Sequence, residues 1–153
     1  MLRISKLTDY GTVVMTYLAK ESDRLHAVSE IAAEIRVAAP TVSKILKQLA
    51  REDLVISHRG AKGGYSLARR PEQISMVEII DALEGRVGLT ECGSSPGLCV
   101  QESLCSIRTN WQRINGAVRD ALAGVSLAEM AEPDPPRFSG TPVKFHPRRA
   151  SAL

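Results

Sequence analysis

Three things are missing from this 153-residue chain, and each absence narrows what it can be. No apolar run is long enough to span a bilayer. The best, "GTVVMTYLA" at 11–19, is far short of a span and is followed by Lys20 and Glu21. Nothing resembles a secretory signal, so a cytoplasmic protein without a membrane partner is expected. There is no C-x-x-C pair, and the cysteines number only three. An odd count in a reducing compartment argues against a disulfide framework. The missing pair, with no obvious substrate-pocket motif, argues against a thiol redox enzyme, and neither an enzyme nor a small-molecule substrate is expected.

Charge is unevenly placed. Residues 1–70 carry 12 Lys/Arg against 7 Asp/Glu, and residues 71–132 carry 4 against 9. Residues 133–153 carry 4 against 1. A basic front and an acidic middle suggest that one part meets a polyanion and the other does not, although ordinary surface charge can look the same.

The front reads as three helices. Leu7, Tyr10, Val14, Tyr17 and Leu18 fall at helical spacing over 6–20. "RLHAV", 24–28, is a short break. "SEIAAEI", 29–35, begins with Ser29 as a candidate N-cap. Pro40 then opens "PTVSKILKQLARED", since proline suits a first turn whose N–H is unpaired anyway. Val42, Ile45, Leu46 and Leu49 form its apolar stripe. Thr41, Ser43, Lys44, Lys47, Gln48 and Arg51 stay outside. Two short helices, a tight turn and a basic outer face make a helix-turn-helix pattern.

Two β-prone runs follow, "LVIS" at 54–57 and "GYSL" at 64–67, joined by the glycine-containing turn "HRGAKG". From His58 to Arg70 no acidic residue occurs, while Arg59, Lys62, Arg69 and Arg70 do. A basic hairpin directly after a helix-turn-helix reads as a wing. The helix would meet base edges of double-stranded DNA, with Arg59 and Lys62 on phosphate or in the minor groove. A solvated hairpin with a guarded edge is the plainer alternative.

In the acidic middle, Ser75 and Glu78 make a capping-box pattern for a helix ending at Gly85. A long helix is expected from Cys105 onward. Ile107, Trp111, Ile114, Val118, Ala121 and Val125 step by four and three along a narrow apolar seam. Such a seam calls for a partner, packing on its own domain being the plainer alternative, and a homodimer would present two reading heads to a two-fold site. Ser126 and Glu129 form a second capping box for a short last helix. The tail after residue 132 has five prolines and no periodicity, and reads as disordered and basic.

Between these helices lies "ECGSSPGLCVQESLC", residues 91–105, with all three cysteines: Cys92, Cys99 and Cys105. Six and five intervening residues are too wide for a zinc knuckle, and a loop around a larger inorganic cluster suits them better. Spacing alone does not separate a cluster from zinc. The glycine- and proline-rich flank speaks against three inert core residues.

With "LRISKLTDYG", "HRGAKGGYSLAR", "EIIDALEG" and three cysteines before a long helix, the chain resembles the Rrf-type winged-helix transcriptional regulators over about residues 1–132. That family includes the iron–sulfur regulator IscR, the nitric-oxide sensor NsrR and regulators of the SUF cluster-assembly operon, whose opening is the most similar. The resemblance implies a mainly α homodimer. Each subunit would have a winged helix-turn-helix over 1–70, a cluster loop and dimerisation helices over 71–132, and a tail over 133–153. It also implies a [2Fe-2S] or [4Fe-4S] cluster on Cys92, Cys99 and Cys105, whose state sets operator affinity. IscR-like members place a histidine three residues after the third cysteine, where this chain has Arg108, which is no iron ligand. NsrR-like members use an aspartate from the first helix of the other subunit, and the matching residue is Asp9. Glu91, Glu102 or an external thiol are alternatives. The family's DNA-reading positions fall on Thr41, Ser43 and Lys44, and its wing arginine on Arg59. The implied function is regulation of SUF genes by iron–sulfur status, with a nitric-oxide sensor or a zinc-stabilised DNA-binding module as alternatives.

Overall fold

The computed structural model describes residues 3–133 apart from 61, 95, 96 and 98, so the tail expected to be disordered lies, beyond Pro133, outside the described residues. Ser5 caps helix α1 (Lys6–Lys20), its Oγ accepting from the Thr8 N–H at 3.2 Å. Val14, Met15 and Leu18 on its inner face are fully buried. Helix α2 (Val28–Ile35) starts before Ser29, which lies inside the first turn and is not the cap. Ala27 takes the N-cap place without a side-chain bond. The reason lies one residue upstream, where His26 and Tyr65 exchange two backbone hydrogen bonds of 2.9 Å and so fix where the chain turns into the helix.

Helix α3 (Ala39–Arg51) has Pro40 in its first turn, as expected. It ends at Arg51, short of the expected Glu52 and Asp53, because Asp53 adopts a left-handed φ of 54°. Strands β1 (Val55–His58) and β2 (Gly64–Leu67) pair antiparallel, Val55 facing Leu67 and His58 facing Gly64. The bond pair at His26 adds a third-strand bridge to this hairpin, tying the wing to the segment before α2. Gly64 makes it possible, since a Cβ there would stand 2.6 Å from the His26 carbonyl oxygen.

After a 3₁₀ turn (Pro71–Gln73), the Ser75–Glu78 capping box opens helix α4 (Met76–Glu84), and Gly85 ends it at φ 87°. Short helix α5 (Glu91–Ser94) precedes α6 (Arg108–Ala123). Helix α7 (Leu127–Ala131) carries the second capping box, Ser126 with Glu129. Helix α6 starts three residues later than Cys105 and stops before Val125. Past Ala123 the Val125 carbonyl is claimed by the Met76 N–H at 2.9 Å, which draws the chain off the helix axis.

One core joins these parts. Met15, Leu18, Ile31, Ile45, Leu46 and Leu49 meet Ile74, Ile79 and Leu127, all fully buried. Each such side chain contributes about 1.5–3 kcal/mol on leaving water. The front helices thus share their interior with α4 and α7, and α3 is pinned along one side with its basic face outward. Helix α6 is different: Ile107 at its N-cap is 52% exposed and Ile114 is 44% exposed, and Asn115 is its one buried residue.

Candidate functional site

The first surface is the outer face of α3 with the wing. Pro40, Ser43, Lys44, Lys47, Gln48 and Arg51 line one shallow groove on it. Thr41, Ser43 and Gln48 are half-buried, while Lys44, Lys47 and Arg51 are exposed. The spacing of Val42, Ile45, Leu46 and Leu49 explains this, since a buried stripe at three- and four-residue intervals leaves the intervening polar residues on the other side. The Gln48 Oε1 is buried and has no hydrogen-bond partner among the described residues, and the same amide carries an N–H₂ that can donate to a base edge.

At the wing tip Arg59 and Lys62 are exposed. Gly60, at φ 111°, lets the turn close, with Gly63 donating to the Gly60 carbonyl at 2.9 Å. Among the described residues, none of Lys44, Lys47, Arg51, Arg59 and Lys62 has a carboxylate within 4.0 Å. Arg69, by contrast, is committed inside the fold. Its guanidinium donates to Glu78 Oε1 at 2.8 Å and to the Gln73 carbonyl at 3.1 Å. The structure therefore sorts the basic residues of the wing region into those free for a polyanion and one that anchors α4.

The second surface is the cysteine segment. Cys92 lies in α5, Cys99 in the following loop and Cys105 just before α6. All three are half-buried free thiols. Among the described residues, no three His, Cys, Asp or Glu side chains are gathered as a metal site. Cys92 Sγ lies 3.3 Å from Thr90 Oγ1. Arg108, which stands at the expected ligand position, pairs instead with Glu102 at 2.6 Å, and the other Glu102 oxygen accepts from the Gly97 N–H at 2.6 Å. Glu102 is thereby engaged as a loop clasp, while Glu91 remains exposed. Val100 and Leu104, 99% and 91% exposed, leave an apolar rim beside the thiols.

Asp9 is exposed in the first turn of α1. It lines a groove with Arg3, Lys6, Thr12, Met76 and Met130, which none of the cysteines lines. Within one chain the structure does not bring Asp9 to the thiols.

Three contacts escaped the sequence reading. Asp81 on α4 and Arg119 on α6 form a two-pronged ion pair of 3.0 and 2.8 Å, and Asp81 also accepts from the Val87 N–H at 2.8 Å. Burial works against the Asp81 charge, but Arg119 and that N–H outweigh it and hold the carboxyl below its ordinary range. Asn115 Oδ1 accepts from the Leu89 N–H at 2.7 Å, and its Nδ2 donates to Thr90 Oγ1 at 3.3 Å. The available signal was the spacing of Trp111, Asn115, Val118 and Leu122, which marks the inward face of α6 better than the seam through Ile114. His26, buried and edge-on to Tyr17 at 5.2 Å, escaped as well, being read as part of a break.

Together, a helix-turn-helix with an outward basic helix and an anchored, basic-tipped hairpin define a winged-helix DNA-binding protein. The family model Rrf2, described as iron-dependent transcriptional regulator, matches residues 4–133. The chain belongs to the Rrf2 family of transcriptional regulators, and is not an enzyme. The transcriptional regulator NsrR of Shouchella clausii is 27% identical over 124 residues, covering 80% of this chain and 78% of that protein. The solved structure of CymR, the global cysteine regulator of B. subtilis, superposes with a TM-score of 0.68 at 30% identity over 86% of this chain and 97% of its own. That of T. potens IscR gives 0.61 at 28%, over 84% and 85%. Among the described residues no helix is long and apolar enough to cross a membrane.

Proposed function

We propose that this protein is a cytoplasmic, homodimeric regulator that reads iron–sulfur status at Cys92, Cys99 and Cys105 and controls genes of SUF cluster assembly. The observation that carries this reading is three free, half-buried thiols in one short segment leading straight into α6. Their chemistry fits the group: thiolates are the usual holders of iron–sulfur clusters, and one of the three has a hydroxyl within hydrogen-bonding reach of its sulfur. When bound, the cluster supplies a redox- and damage-sensitive centre. The chain's own residues do the rest. The exposed Ile107 and Ile114 offer α6 to a second copy, and Asp9 of that copy is the fourth ligand that the resemblance to NsrR-like members implies, Glu102 being held by Arg108. Lys44, Lys47, Arg59 and Lys62 hold phosphate, while Thr41, Ser43 and Gln48 face the bases.

For the cluster to regulate, it must bind the DNA-competent and incompetent arrangements with different affinity. Asp81–Arg119 is a physical link for this, joining α6 to α4, which packs on α3. Anaerobic purification and reconstitution test the reading, followed by absorption spectroscopy, iron and sulfide analysis and operator binding. A coloured protein whose operator affinity changes on cluster loss, and which loses both in Cys92→Ser, supports it. A colourless protein that retains zinc overturns it. The NsrR-like reading is kept by Asp9 and the S. clausii relative. It predicts that nitric oxide, rather than iron starvation, releases the operator.

A further inference from the structure

We propose that Asn115 is a positioning residue for Cys92: through Thr90 it forms a directed hydrogen-bond relay that links helix α6 to the Cys92 sulfur. The proposal rests on the reading of Cys92 as a cluster ligand.

The direction follows from one fixed donor. The Leu89 backbone N–H can only donate, and it meets Asn115 Oδ1 at 2.7 Å. This sets the amide, so Nδ2 faces Thr90 Oγ1 at 3.3 Å and donates to it. The Thr90 hydroxyl, having accepted there, turns its single proton elsewhere. Cys92 Sγ lies 3.3 Å away, and a ligating thiolate can only accept. The order is therefore Leu89 N–H to Asn115, Asn115 to Thr90, and Thr90 to sulfur.

The surroundings hold the relay in place. Asn115 is 5% exposed and is the buried residue of α6. A Cβ on Gly93 would run into the Asn115 amide, so glycine next to Cys92 permits the approach. A Cβ on Gly88 would stand 2.5 Å from the Ser94 nitrogen, so the segment also folds closely on itself. One turn along α6 from Asn115, Arg119 grips Asp81 of α4. A displacement at Cys92 thus has a hydrogen-bonded route into α6 and on to the helix packed behind α3.

A hydrogen bond to a cluster sulfur stabilises the more negative, reduced state and raises the reduction potential. In the anaerobically reconstituted protein, Thr90→Val, which keeps the shape and removes the hydroxyl, should lower the potential, and Thr90→Ser should restore it. An unchanged potential in Thr90→Val overturns the sulfur end of the relay. In the cluster-free protein, Asn115→Ala should speed amide exchange at Leu89 at least about tenfold, the equivalent of one lost buried hydrogen bond. Thr90→Val, in which Leu89 keeps its acceptor, should leave that exchange at the wild-type rate. Wild-type exchange in a folded Asn115→Ala protein overturns the α6 end. A wild type that takes up no iron or sulfide overturns the cluster reading and the sulfur end with it, and Leu89 exchange then judges the α6 anchor by itself.

Discussion

The winged helix and the cysteine segment with α6 solve the same problem in opposite ways. In the first, every helix turns an apolar stripe inward, and Val14, Leu18, Ile31, Ile45, Leu46 and Leu49 are fully buried. In the second, Val100, Leu104, Ile107 and Ile114 face outward, and the residue taken inside is an asparagine. The front is held by non-directional burial, which tolerates small shifts. The cysteine segment is held by a few directional contacts: Asn115 with Leu89 and Thr90, Arg119 with Asp81, and Arg108 with Glu102. A region built this way is stiff only while each contact is satisfied, which suits an element that must change its arrangement.

The largest contrast between the two should appear on truncation. Leu46→Ala, in the core between α3 and its neighbours, should lower unfolding free energy by about 2–5 kcal/mol. Ile114→Ala, on the exposed face of α6, should change the stability of an isolated subunit by no more than about 0.5 kcal/mol and, if α6 forms the proposed dimer contact, weaken self-association. Denaturant unfolding at low protein concentration, with sedimentation alongside, measures both. Equal losses of subunit stability would erase the contrast.

The next effect concerns what the front reads. On the proposed reading, in which the exposed guanidinium at the wing tip neutralises a phosphate, Arg59→Ala should weaken operator binding by about tenfold and make the salt dependence shallower by about one unit of slope. Arg69→Ala should act through stability instead, because Arg69 is spent on Glu78 and Gln73. Titrations with operator at several salt concentrations separate the two.

The uneven legibility of the chain follows the same division. The front could be read from sequence because its signals are periodic and local: a proline in the first turn of α3, four apolar residues at helical spacing, and glycines at the wing turn. Both capping boxes were legible for the same reason, as a cap and its partner lie three residues apart. The start of α2 and the end of α6 were not. They are set by contacts across the chain, His26 with Tyr65 and Val125 with Met76, which leave no local mark. The inward face of α6 was misread because one polar residue, Asn115, occupies the place an apolar one would normally take.

A smaller effect tests the directional contacts by acid. Asp81 is held below its ordinary range in the folded state, so its contribution is complete above the unfolded value of about 4. It is lost as pH falls through the depressed folded value. Asp81→Asn should therefore cost about 1–2 kcal/mol near neutrality, a partly exposed charged hydrogen bond being worth less than a buried one. The gap to wild type should close below about pH 4. Thermal unfolding across that range measures it. A gap that stays constant with pH would mean that the carboxylate charge is not what joins α4 to α6.

The smallest effect asks whether the front is free of local cost. Arg36 ends α2 with φ at 55°, a left-handed conformation that crowds any residue with a Cβ. Its backbone N–H donates to the Ala32 carbonyl, so the conformation serves the helix end whatever side chain is present. Arg36→Gly removes the crowding but gives the unfolded chain more freedom to lose. The net gain should be about 0.5–1 kcal/mol, read as a higher midpoint in denaturant with an unchanged slope. Among the described residues the Arg36 guanidinium is in no ion pair, so no charge contact is lost. A loss of stability would mean that the arginine side chain supports the turn between α2 and α3. The turn would then depend on a directional contact as the cysteine segment does, and the division between the two regions would not run cleanly through the helix-turn-helix.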